Sequence, residues 1–109
     1  MNEILKKNQK FGIDLSNMGI KELAWSYPFI ISLLNDLSQD RIKVLGGDVL
    51  TKTKKETFIH TGDNWNYEEN NSIDNKGSID YAINYIKNYV KKNGEDYFFV
   101  VVCEDAVSN

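Results

Sequence analysis

The chain is 109 residues long, a length that holds one domain built around one hydrophobic core. With 27% charged and 41% hydrophobic residues, its composition is that of a soluble globular protein, neither disordered nor membrane-spanning. The net charge of −3, with twelve lysines and Arg41 as the one arginine, argues against nucleic acid as a partner. Phosphate and base-edge recognition lean on arginine and on a positive surplus.

Residues 1–10 place Ile4 and Leu5 among polar neighbours and read as a frayed end or a short helix. They contain no long apolar stretch, so no secretory signal is visible and a cytoplasmic protein is expected. Ile20–Trp25 carries no decisive pattern, and a turn leading into the first helix is one option for it. Ser26-Tyr27-Pro28 then offers a capping hydroxyl before a proline suited to a first helical turn. Phe29, Ile30, Leu33, Leu34 and Leu37 recur at helical spacing and predict a helix over 28–37.

Ile42–Leu50 reads as a strand interrupted by Gly46-Gly47, and adjacent glycines in a strand mark a bulge, a bend or a close backbone approach. Asp48 after them would aim its carboxylate at backbone N–H groups or an indole N–H, or form part of a recognition surface. Thr51–Lys55 suits a hairpin turn and Glu56–Thr61 a return strand. Gly62–Gly77 is polar and reads as a long loop, a kind of segment that is often functional.

The second helix is expected over 78–92, where Ile79, Ala82, Ile83, Ile86 and Val90 fall in one arc. Lys87, Lys91 and Lys92 sit near its carbonyl end and Asn93-Gly94 supplies the stop. Tyr81, Tyr85 and Tyr89 drift from the outward face, where Tyr81 should be exposed, towards the apolar stripe. Tyr97–Cys103 does not alternate, which predicts a central strand covered on both faces. The order gives an α+β domain spanning 1–109: a small, mainly antiparallel sheet, made of the hairpin plus the central C-terminal strand, with two main helices packed on it.

Chemistry has few candidates. Cys103 is the only cysteine and His60 the only histidine, which excludes an internal disulfide, cysteine-based zinc and two-histidine metal motifs. Asp63-Asn64 with Glu68-Glu69 lacks the ligand spacing of a calcium loop, and Gly46-Gly47 lacks the spacing of a phosphate-binding loop. No metal or cofactor is expected. A small hydrolase would need Asp48, His60 and Asp63 to converge in one cleft. A self-associating regulatory module would instead pair through its sheet edge, and the expected state is a monomer or weak homodimer. No membrane partner is expected.

A binding role fits the residues better. Asp63-Asn64-Trp65-Asn66-Tyr67-Glu68-Glu69 sets aromatics among acids and amides, the composition of a protein interface. Tryptophans are most often core anchors with a polar end near water, and that is the first reading for Trp25 and Trp65 alike. Between Thr61 and Asp80 five acids stand against Lys76, a local excess able to steer a basic partner.

Trp25-Ser26, Leu45-Gly46-Gly47-Asp48-Val49, Asp63-Asn64-Trp65, Tyr85-Ile86 and the Tyr97–Val102 strand occur in the order seen in the bacterial immunity protein family numbered forty. The chain resembles that family from Gly19 to Val102. Leu50 and Asn66 stand where the family pattern carries aromatics. The resemblance implies an antitoxin-like protein that binds a cognate toxin domain and blocks its active site or substrate access. It implies no catalytic residues. The expected toxin-facing residues are Asp48, Asp63, Trp65, Tyr67, Glu68 and Glu69, with Trp65 and Tyr67 as anchors.

Overall fold

The computed structural model describes residues 12–15, 23–39, 42–55, 57–67 and 75–105. Within them lie strand β1 (Ile13–Asp14), strand β2 (Leu23–Ser26) and helix α1 (Phe29–Leu37). Strands β3 (Ile42–Lys52) and β4 (Phe58–Asn66), helix α2 (Asn75–Asn93) and strand β5 (Tyr97–Asp105) follow. The strands form one sheet in the order β1-β2-β5-β3-β4, with every pairing antiparallel. The α+β architecture expected from the sequence is therefore the one observed. Residues 1–10, expected to be frayed or a short helix, lie outside the described residues.

Both helices cover one face of the sheet. Ile30, Leu33, Leu34 and Leu37 of α1 and Ile79, Ala82 and Ile86 of α2 are buried with Trp25, Val44, Val49, Trp65 and Phe99 from the strands. These are the apolar positions picked out by helical spacing, and burying each side chain contributes roughly 1.5–3 kcal/mol. A second, smaller cluster of Leu15, Ala24, Leu50, Phe58 and Val100 lies on the opposite face. β5 pairs with β2 on one side and β3 on the other, so it is central. Its odd-numbered residues Tyr97, Phe99, Val101 and Cys103 join the helix-side core, while Phe98 and Val100 join the second cluster.

Four boundaries differ from the expectation. Leu23–Ser26 is a strand rather than a turn, because Trp25 and Ser26 pair with Phe99 and Phe98 of β5. β3 runs on to Lys52, and the hairpin closes tightly on Thr53. The Thr53 N–H donates to the Thr57 carbonyl (2.7 Å), and its hydroxyl accepts the N–H groups of Lys55 and Thr57, both at 3.2 Å. β4 continues through Asn66, so Gly62–Asn66 belongs to a strand. Finally, α2 begins at Asn75, three residues before the expected start at Ser78. The stop at Gly94 is as expected: its φ is +96° and its N–H donates to the Val90 carbonyl at 2.7 Å.

Irregularities in β3 and β4 shape the site. β3 shifts register against β5 between Val44 and Gly46, leaving Leu45 as the extra residue. The Val44 N–H is instead taken by the buried Ser78 hydroxyl of α2 at 3.0 Å. The Leu45 carbonyl accepts the Tyr67 N–H at 2.8 Å. β4 bulges between Asn64 and His60, where Gly62 adopts a φ of +95°.

Candidate functional site

Gly47 lies opposite Trp65 on β4 and Val101 on β5, and residues opposite one another across an antiparallel ladder share a face. Gly47 and Trp65 are thus on the helix side. A Cβ on Gly47 would stand 2.3 Å from Cη2 of the Trp65 indole and 2.4 Å from the Val100 carbonyl oxygen. A Cβ on Gly46 would stand 2.3 Å from the Trp65 carbonyl oxygen. The paired glycines are there for close approach: Gly47 makes room for the indole and Gly46 for the backbone of β4.

Trp65 is 4% exposed. Expected among the exposed anchors, it is instead buried, because β4 extends to Asn66 and points this one residue of its polar stretch inward. Its ring packs against Tyr85 in a tilted arrangement, 4.9 Å between centroids and 31° between planes. Among the described residues, its Nε1–H is the buried side-chain polar group without a hydrogen-bond partner.

Around Trp65 the aromatics form a row along β4 and α2. Tyr67 meets Tyr81 (5.6 Å), Tyr85 meets Tyr89 (6.0 Å), and Tyr89 meets Tyr97 (5.2 Å). Tyr85 and Tyr89 are half-buried, whereas Tyr81 is 47% exposed, in line with their drift round the helix. Asp63 sits at the rim, where its Oδ2 accepts the Tyr89 hydroxyl at 2.8 Å. Burial above all, then the bond to Asp63, pushes the Tyr89 phenol up to about 12. Burial also raises Tyr85, with the charge of Asp63 adding to it. Asp63, Tyr85, Asn88, Tyr89, Lys92 and Asn93 line a recess of about 380 Å³ at this edge.

The opposite face carries Asp48 and His60. The His60 Nε2 lies 3.1 Å from Asp48 Oδ1, and the His60 Nδ1 accepts the Gly62 N–H at 2.8 Å. Accepting at Nδ1 fixes the proton on Nε2, which donates to the carboxylate. Asp48 thus faces an imidazole rather than the indole N–H. Two of the three residues a hydrolase would need are paired, but Asp63 turns to the helix side and Tyr89. Both ring nitrogens of His60 are thus engaged, Nδ1 with the Gly62 N–H and Nε2 with Asp48. Among the described residues no group of three or more His, Cys, Asp or Glu could hold a metal ion. Cys103 is half-buried in the core-facing row of β5.

Of the residues expected to face a partner, the structure brings Asp63 and Tyr67 together with the tyrosines of α2. It places Asp48 on the other face and Trp65 in the core, and Glu68 and Glu69 lie outside the described residues. Sequence reasoning missed the contribution of Tyr81 and Tyr85 to the same edge. Their i, i+4 spacing was the available signal, and it lacked only the knowledge that β4 lies alongside.

The molecule is thus a small α+β scaffold whose β4 edge and adjoining helix face bring Tyr67, Tyr81, Tyr85, Tyr89 and Asp63 together. The family model described as immunity protein 40 matches residues 14–103, so the chain belongs to the immunity protein 40 family. No curated protein and no solved structure matches it. Among the described residues no helix is long and apolar enough to cross a membrane.

Proposed function

We propose that the chain acts in the cytoplasm as a non-enzymatic inhibitor that binds a cognate toxin domain and neutralises it by covering its active site or blocking substrate access. The observation that carries this reading is the family assignment over residues 14–103.

The toxin-facing surface is the β4 edge with the adjoining face of α2. Tyr67 and Tyr81 supply aromatic area there, Asp63 a charged rim, and Trp65 supports the row from beneath through Tyr85. Glu68 and Glu69, which follow Tyr67 directly, extend the acidic rim in the sequence. Asp48 contributes from the other face of the sheet. Tyrosines with Asp63 at their rim fit a basic partner, because the charge steers the encounter and the rings supply the contact area. The inhibitor works as a monomer or weak homodimer and needs no cofactor, nucleic acid or membrane.

Co-expression with the toxin domain encoded beside it tests the reading. Cells survive if it holds; death of cells that contain abundant folded protein would reject it.

A further inference from the structure

On the helix-free face, Gly46 lies between Val102 of β5 and Asn66 of β4, and the next row holds Val100, Asp48 and Asn64. The β4 backbone closes on Gly46 itself, with the Trp65 carbonyl oxygen in the place a Cβ would take, and a slot lies beside it. It is about 400 Å³ in volume and lined by Gly46, Gly47, Asp48, Asn64, Asn66 and Val102. Val102 is 40% exposed although it sits on the central strand of the sheet. The exposed valine thus stands beside a carboxylate and two amides.

We infer that this slot receives an arginine side chain of the toxin. The inference rests on the reading of the chain as a toxin inhibitor and gives that interface one anchor. The chemistry of each wall fits. Val102 offers apolar surface to the three-carbon stem. Asp48 lines the slot, with its Oδ1 3.1 Å from the His60 Nε2. Asn64 and Asn66 add amide oxygens around it. A guanidinium has five donors in a rigid fork and satisfies several such acceptors at once, whereas a lysine ammonium is a compact, strongly hydrated point charge. The fit is also one of charge, a cation against Asp48.

Two measurements test this. In the first, the isotope-labelled chain is titrated with Nα-acetyl-arginine amide and, separately, with the lysine analogue while amide resonances are followed. The arginine probe should shift Gly46, Gly47 and the side-chain amides of Asn64 and Asn66, and the lysine probe should act several-fold more weakly. Asp48→Asn should weaken the arginine effect by about tenfold, the usual loss when a charged hydrogen-bond partner is removed. Shifts elsewhere, no shift, or equal response to both probes would overturn the proposal. In the second, Val102→Arg plugs the slot from within. It should weaken toxin binding by about tenfold or more with an unchanged thermal midpoint. Undiminished binding by this variant would remove the slot from the interface while leaving the inhibitor reading intact. Failure of the unaltered chain to bind the toxin would reject the inhibitor reading itself.

Discussion

The indole of Trp65 lies against the backbone of Gly47 so closely that a single added carbon on the glycine would stand 2.3 Å from the ring. This contact joins the two most distinctive pieces of the sequence, Gly46-Gly47 and Asn64-Trp65, across the β3–β4 ladder. Gly47→Ala must push the ring or split the ladder, and a cost of about 2 kcal/mol or more is expected. Urea unfolding measures it. A stability equal to that of the unaltered chain would mean that the two residues do not meet.

Trp65 should behave as a core residue when substituted. Trp65→Ala is expected to cost about 3–5 kcal/mol through the cavity it leaves. Trp65→Phe should cost much less, because it also removes an indole N–H that has no partner. A pair of melting curves checks the order. Lost toxin binding with unchanged melting in both variants would make Trp65 an exposed anchor instead.

Ser78 is tied to the irregularity in β3. Removing its hydroxyl with Ser78→Ala leaves the Val44 N–H buried and unpaired, a loss of about 1–3 kcal/mol. Hydrogen exchange at Val44 should accelerate along with the drop in stability. If only the helix start at Asn75 frays and Val44 keeps its protection, the hydroxyl is not its partner.

Tyr89 makes stability depend on alkaline pH. Its phenol is raised from 10.0 to about 12 in the folded protein, so the folded state holds its proton more tightly than the unfolded chain does. The contribution is fully present below pH 10 and is lost as pH rises from there through about 12. Asp63→Asn should lower the Tyr89 value yet leave it above that of a free tyrosine, because burial is the larger cause. Tyrosinate absorbance, compared between the two proteins, reads this directly.

The parts of the fold legible in the sequence are those where one element decides its own pattern. Ile79, Ala82 and Ile86 fall on one helical face whatever lies opposite, and the unbroken apolar run of β5 requires cover on both sides. The parts that were not legible depend on a neighbour. Leu23–Ser26 is a strand because β5 accepts it, and four residues carry too little pattern to announce that. Asp63, Asn64 and Asn66 have the composition of a loop because β4 is an edge strand whose exposed side chains are polar. Trp65 alone points into the core there, and its burial follows from the empty space over Gly47. The acidic and aromatic character of the site was therefore visible, but which rings face solvent depended on how β4 meets α2.

The surface proposed for the toxin predicts a separation between binding and stability. Tyr81→Ala, at an exposed position, should leave the thermal midpoint within a degree or two and weaken toxin binding by about tenfold or more, as interface tyrosines do. Calorimetric titration of both proteins checks it, and equal affinities would move the interface away from the tyrosine edge.

The most direct test of the account follows the activity of the purified toxin domain as the folded chain is added. Inhibition should rise in proportion to the chain and become complete at one equivalent of inhibitor per toxin. A toxin that keeps its full activity in the presence of excess folded chain would contradict the account.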